Sequence, residues 1–329
     1  MIVSNVFEKF GTLKPAVSST EFEAIPLAGP RDDFLAKGVD GSPVFLLSDT
    51  PTGRYHPSLH LRYLDADFQL TCRIQADTQE IDGVFALIRC TSNESELHEL
   101  FVRSFDAARE QLSSHAETEE IKKTVQNLAS LFRAFAKPSQ RSISGLWAEL
   151  FTIARSGDPI EALRAWRSDL FERFDFSTST SVIEVKSTMG QLRTHDFALE
   201  QLSVPLGGTG FVVSTLLQIA NGGTSVLELV SNIESTLSRE PALKEKLWTN
   251  IIGNLGSDFT SALDKRFDVS FAERHCVVFR AEDIPQPSIT PDPRISNIRF
   301  VATLTNVSST LLDPSINALR DILKKCEQD

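Results

Sequence analysis

Residues 174–188 read FDFSTSTSVIEVKST, and this stretch limits the fold more than any other. Residues 182–186 are rich in β-branched side chains and alternate as a strand does, which sets Ile183 and Val185 on one face and Glu184 and Lys186 on the other. The first face predicts a core contact; the second predicts an open, charged surface. Phe174, Asp175 and Phe176 repeat the alternation, and the Ser/Thr run 177–181 is short enough to turn the chain back. The expected hairpin brings Asp175 and Glu184 together on its polar face. Two carboxylates and an ammonium gathered there suit a hard divalent cation and a water nucleophile. Carboxylate oxygens hold Mg²⁺ at roughly 2.0–2.1 Å, and a lysine offsets developing negative charge. An ordinary strand with a solvated face has the same pattern, and the triplet alone does not separate the two.

The 329 residues are 41% hydrophobic and 23% charged, which suits a globular chain of about two core-bearing units. No stretch approaches the ~18–20 consecutive apolar residues of a membrane span. The opening MIVSNVFEKF has neither the basic nor the apolar region of a secretory signal, so a cytoplasmic location is expected. Cys72, Cys90, Cys276 and Cys326 are far apart without a C-x-x-C pair, which argues against a zinc site or a disulfide framework. The formal charge of −11 and the pI near 5.1 argue against unaided high-affinity binding to a polyanion, because that affinity comes largely from Lys and Arg. Any nucleic-acid contact has to be local, metal-bridged or shared with a partner.

Residues 1–115 read as a β-rich unit that closes in a helix. Val44 to Leu47, Leu59 to Tyr63, Phe68 to Ile74 and Val84 to Ile88 are short apolar or alternating runs, separated by turn signals such as Asp40-Gly41 and Asp82-Gly83. They predict a mostly antiparallel sheet. Thr91 and Glu94 are spaced as a capping box before Leu97, Phe101, Phe105 and Ala108 at helical intervals. His56, His60 and His98 share no metal-ligand spacing and read as surface or structural residues.

A second helix is expected over roughly 117–137, with Ile121, Val125, Leu128, Phe132 and Phe135 on one side and Pro138 as its stop. A third, around GLWAELF at 145–151, carries a wide apolar stripe with Glu149 at its margin. A carboxylate there is costly to desolvate, so it either reaches water or points into a site. Asp158, Pro159 and Glu161 then start a helix leading to Trp166. Arg164 and Arg167 stand one turn apart on it, facing a phosphate backbone or, as the simpler expectation, forming a solvated face.

The order GLWAEL, a tryptophan helix, RFDF, IEVKST, HDFALEQL and GGTSVLELV resembles the bacterial PD-(D/E)xK proteins found among restriction and phage-defence genes, within the restriction-endonuclease-like superfamily. The resemblance covers most of the chain and is strongest between Gly145 and Val230. It implies an α/β (α+β) fold, with a nuclease core of mixed sheet flanked by helices. It also implies that Glu149, Asp175, Glu184 and Lys186 line a Mg²⁺ site, with Mn²⁺ able to substitute and Asp175, Glu184 and Glu149 as ligands. Phe174 stands where a proline is usual, at a position that is not a ligand. The segment from Arg193 and His195 to Gln201 and Leu202 resembles the family's stretch after E-x-K. There Arg193, His195 and Gln201 are candidates to contact the phosphate or an ordered water, and a buried, structural His195 is the alternative.

Gly207-Gly208-Thr209-Gly210 is not followed by Gly-Lys-Ser/Thr, so it reads as a turn into an apolar strand from Phe211 to Ile219 and not as a phosphate-binding loop. Asn221-Gly222-Gly223 reads as another turn, and Ser225 with Glu228 as the cap of a helix to about 238. Beyond it the expectations are a helix through Leu243, Leu247 and Ile251, strands at 267–271 and 276–279, a connection containing Pro285, Pro287, Pro291 and Pro293, a strand at 297–305 and a last helix from Asp313. The resulting division is a β-rich unit over 1–115, a nuclease-like core over 116–238 and a C-terminal extension over 239–329.

The function implied is a Mg²⁺-dependent endonuclease that hydrolyses DNA to a 3′-OH and a 5′-phosphate in restriction or phage defence. It would work as a possible homodimer, or beside ATPase or methyltransferase subunits. The rival is an inactive nuclease-like scaffold or nucleic-acid-binding subunit of a defence complex.

Overall fold

Short apolar and alternating runs in the first 90 residues build a small barrel. A computed structural model describes residues 6–309, except 51–52, 137–138, 140–141, 169–171, 258, 289–293 and 295–296. Two compact units emerge, 1–138 with 240–253 and 139–239 with 254–329.

In the first unit a short helix α1 (Val6–Gly11) precedes strands β1 (Glu21–Pro26), β2 (Phe34–Lys37), β3 (Pro43–Ser48), β4 (Leu59–Leu61), β5 (Leu64–Ala76) and β6 (Gln79–Cys90). Their order is β1-β2-β3-β6-β5-β4, and β1 also pairs in parallel with the second half of β5, from Glu21 opposite Arg73 to Glu23 opposite Gln75. That extra pairing closes the sheet on itself and leaves fewer free edges. β5 can serve β4 with one half and β1 with the other because it breaks register between Asp67 and Leu70, where Gln69 takes a φ of 55°. Every second side chain points inward: Phe22, Ala24, Phe34, Ala36, Val44, Leu46, Cys72, Ile74, Phe85 and Leu87 fill the barrel. The outward Phe45 of β3 meets Phe101 and Phe105 of α2 (Ser95–Arg109) at 5.7 and 4.7 Å between ring centres.

Helix α2 has Glu94 at its N-cap with no side-chain cap, so the expected Thr91–Glu94 capping box does not form. The Thr91 hydroxyl instead donates to the Arg62 carbonyl at 3.4 Å. Helix α3 (Thr118–Phe132), followed by a 3₁₀ turn Arg133–Ala136, buries Ile121, Val125, Leu128 and Phe132. Phe132 lies 6.3 Å from Phe101, so α3 belongs to the first unit and not to the nuclease-like segment in which the sequence division put it. The expected stop at Pro138 lies outside the described residues. Residues 240–253 likewise return to the first unit, where Lys244 pairs with Glu110 at 2.7 Å.

The second unit contains α4 (Ile143–Arg155), α5 (Pro159–Ala165), β7 (Phe176–Ser177), β8 (Ser181–Thr188), β9 (Thr194–Ala198), α6 (Leu199–Leu202), β10 (Thr209–Leu216), β11 (Ile219–Ser225), α7 (Val226–Glu234), α8 (Pro241–Asn254, most of which returns to the first unit), α9 (Phe259–Leu263), β12 (Arg266–Phe267), α10 (Val269–Arg274), β13 (Cys276–Arg280) and β14 (Arg299–Thr303). Its main sheet runs β13-β10-β8-β7, with β8 and β10 parallel and the outer pairs antiparallel. The overall architecture is therefore the mixed α+β fold expected.

Helix α4 buries Trp147 and Phe151, whose rings stack at 5.1 Å, and Trp147 Nε1 donates to the Thr224 carbonyl at 2.8 Å. The capping box of Ser225 and Glu228 forms as read. Asn221–Gly223 is not a turn but part of β11, and a Cβ on Gly223 would stand 2.4 Å from the Phe267 carbonyl of β12. Glycine is there for close approach of two strands. Residues 269–274 are helical and not extended, because Asp268 accepts from the Phe271 amide at 2.9 Å and caps them. Pro291, Pro293 and the helix expected from Asp313 lie outside the described residues. Among the described residues no helix is long and apolar enough to cross a membrane.

Candidate active site

Strand β8 is flanked in its sheet by β7 and β10, α4 packs on it, and β9 and α6 lie against Glu184 and Lys186 through Phe197 and Gln201. Val182, Ile183, Glu184 and Val185 are all buried, so the open charged face expected for Glu184 does not exist. The hairpin does form, with Phe176 opposite Ile183 and Ser177 opposite Val182, and this register sets Asp175 across from Glu184. Asp175 is 3% exposed, and its Oδ2 accepts from the Val185 amide at 2.8 Å. Glu149 arrives from α4, also 3% exposed, and its Oε2 accepts from Trp166 Nε1 at 2.8 Å.

Between Glu149 and Asp175 lies Arg167. Its Nη2 is 2.7 Å from Glu149 Oε2 and its Nη1 donates to Asp175 Oδ1. Helix α5 ends at Ala165, so Trp166 and Arg167 leave the helical path and Arg167 turns inward to 1% exposure. The solvated arginine face expected on this helix is thus half wrong: Arg164 stays outside on Glu161, while Arg167 enters the carboxylate cluster. Sequence reading missed Arg167 because helical spacing was carried two residues too far.

On the other side of Glu184, Lys186 Nζ is 2.9 Å from Glu184 Oε1 and donates to Gln201 Oε1 at 3.1 Å. Gln201 in turn donates to Glu184 Oε1 and accepts from the Ala198 amide at 3.0 Å, so α6 locks the pair. The Lys186 side chain is 16% exposed and rests over the Phe197 ring. It is the opening of an otherwise sealed cluster. Glu184 is 4% exposed; burial, and then the nearby Asp175 charge, push its carboxyl up to about 8 against the partial offset of Lys186. Its Oε2 is buried with no hydrogen-bond partner among the described residues.

The other two candidates serve the frame. Arg193 donates to the Ser214 carbonyl at 2.7 Å and the His275 carbonyl at 2.7 Å, tying the start of β9 to β10. His195 is buried with Nε2 2.7 Å from Ser214 Oγ, and burial, together with the Lys186 and Arg193 charges, pushes it down to about 4. At neutral pH it is an uncharged imidazole.

Among the described residues, no three His, Cys, Asp or Glu side chains converge as a ready set of metal ligands, and Arg167 pairs with both Glu149 and Asp175. Glu184 is different. Three acids face two cations here, and the acid whose charged form burial disfavours, Glu184, is also the one with an unpartnered buried oxygen. A hard cation fits that atom.

No curated protein and no solved structure matches the chain. One family model does, over residues 9–305, and the chain belongs to the family it describes, "Putative PD-(D/E)XK family member, (DUF4420)".

Proposed function

We propose that this protein is a Mg²⁺-dependent endonuclease that hydrolyses DNA phosphodiester bonds. The single observation that carries the reading is Glu184 Oε2, a buried oxygen without a partner among the described residues, in a cluster that also holds Asp175 and Lys186. A binding module has no use for such a group; a cation-dependent site does. Asp175 and Glu184 would hold the ion. When bound, a divalent cation neutralises phosphate charge and lowers the pKa of a coordinated water.

The chain's own residues supply the rest. Lys186 is the cluster's open member, so a phosphate meets the site at its ammonium, which offsets charge developing on the phosphoryl oxygens. Gln201 fixes the Lys186–Glu184 pair in one geometry through its two hydrogen bonds. His195, uncharged and held by Ser214, acts as framework and leaves Lys186 as the cation at the mouth. The net charge of −11 supports a chain that reaches DNA beside a partner, such as the ATPase or methyltransferase subunits of a restriction or phage-defence system, in the cytoplasm.

A second reading, an inactive nuclease-like scaffold, is favoured by the engagement of Asp175 and Glu149 with Arg167. Cleavage of plasmid and linear single-stranded DNA with Mg²⁺ or Mn²⁺, run beside Lys186→Ala and Glu184→Ala, separates them. Metal-dependent cleavage lost in both folded variants is expected. No cleavage, together with no calorimetric Mn²⁺ binding that depends on Glu184, selects the scaffold.

A further inference from the structure

We infer that Arg193, Ser214 and His195 form a one-way hydrogen-bond relay that fixes the His195 proton on Nδ1, and that His195 so held is a positioning residue for Lys186, acting through Phe197. The relay stands on its own geometry; the use made of Lys186 rests on the nuclease reading above. Ser214 decides the direction. It has no exposed surface, and its Oγ lies 3.0 Å from Arg193 Nη1 and 2.7 Å from His195 Nε2. A guanidinium carries donors only, so Arg193 donates to Oγ. Of the two side-chain neighbours that Oγ reaches among the described residues, only Nε2 then accepts the hydroxyl proton. The other tautomer, with its proton on Nε2, would give Oγ two donors and leave a sealed hydroxyl proton with no acceptor. Nε2 is therefore bare and occupied, and the imidazole proton sits on Nδ1. Burial, with the charges of Lys186 and Arg193, disfavours a second proton. His195 thus has no free nitrogen lone pair with which to take a proton from water, and it is not the general base.

The relay lies beside the candidate site. Ser214 of β10 is the register partner of Lys186 of β8, so the two side chains leave the same face of the sheet. The His195 ring stands at 87° to the Phe197 ring with 6.2 Å between centres, and Phe300 stacks on Phe197 at 6.0 Å. Lys186 Nζ rests 5.1 Å from the centre of that same Phe197 ring. The first donor is anchored as well, since Arg193 also holds the Ser214 and His275 carbonyls, each at 2.7 Å. A fixed imidazole therefore seats the ring on which the ammonium lies.

Nuclear magnetic resonance of the isotope-labelled full chain tests both parts. The imidazole nitrogen signals of His195 report the relay, and the ring-current shift that Phe197 gives the Lys186 ε-methylene reports its use. A protonated Nδ1, a bare Nε2 and an upfield-shifted Lys186 signal are expected on the native chain. Ser214→Ala should turn the single tautomer into a mixture, and His195→Ala should remove the Lys186 shift. His195→Gln, whose amide oxygen still accepts from the Ser214 hydroxyl, should keep most of that shift. A proton on Nε2 in the native chain overturns the relay, and this reading decides the matter even where Ser214→Ala does not fold. A native Lys186 signal without the upfield shift, or one unmoved in His195→Ala, overturns the positioning role. In DNA cleavage, His195→Ala should lower kcat about tenfold with KM little changed, and His195→Gln should recover most of the loss. An unchanged kcat in His195→Ala also overturns the positioning role. No metal-dependent cleavage by the native chain overturns the nuclease reading alone, because both resonance signals are read without activity.

Discussion

Each unit buries a charge cluster, and the two are balanced differently. In the first unit Asp33, Asp106 and Glu110 face Arg31, Arg109 and Lys244, three acids against three bases. Burial raises the Asp33 carboxyl, but Arg31, the Ser48 amide and Arg109 all pull it back. In the second unit burial raises Glu184, and Asp175 and Glu149 raise it further, against Lys186, the Arg167 charge and the Gln201 amide. A cluster whose neighbours all compensate is framework. One in which neighbouring acids add to the cost of burial is a candidate site, the part of the molecule on which the proposed function rests.

The comparison can be broken at several points. Arg31→Ala leaves Asp33 buried beside a lost partner and should cost about 3–5 kcal/mol in urea unfolding, the largest effect expected. If stability barely changes, the first cluster is not the framework argued here. Lys186→Ala removes the open cation and should lower kcat for DNA cleavage by about 10²–10³-fold, with the melting temperature little changed. A variant that cleaves normally would remove Lys186 from the chemistry.

Glu184→Gln should act in the opposite direction on stability. The folded protein holds the Glu184 proton up to about pH 8 and the unfolded chain only to about 4.5, so this group's contribution is complete below pH 4.5 and is lost as pH rises to 8. Metal-free Glu184→Gln should therefore melt on the order of 5 °C above the native chain at pH 8, with the gap closing toward pH 4.5 and shrinking on addition of Mn²⁺. An equal gap at both pH values would show that charge is not its cause. The smallest effect belongs to Asp158→Ala, which uncaps α5 and should cost about 1 kcal/mol in thermal or urea melts.

Local pattern carried much of this molecule into view. The apolar run of β3, the alternation of β5, the Asp175–Glu184 hairpin, the Ser225 cap and the Asp158 helix start are short-range features, and short-range rules found them. The misses share a different origin. Glu184 was read as solvated because period-2 alternation distinguishes two faces but does not reveal what packs on them from distant parts of the chain, here α4, Phe197 and Gln201. Arg167 was assigned to a surface because its partners, Glu149 and Asp175, lie 18 positions before and 8 positions after it in the sequence. Gly223 looked like a turn because glycine permits turns, whereas here it admits a neighbouring backbone.

The pairing of β9 with β14 has a consequence for when the site comes into being. Thr194 meets Thr303 and Ala198 meets Arg299, and the Leu199 amide donates to the Ile298 carbonyl at 2.9 Å. Strand β9 carries Phe197 beneath Lys186 and leads into the helix of Gln201. The ribosome delivers those residues about a hundred positions before the strand that pins them, at a pace of roughly 5–20 residues per second. For those seconds the nascent chain carries Asp175, Glu184 and Lys186 without their frame. The candidate site is framed only once β14, the last strand among the described residues, has been made.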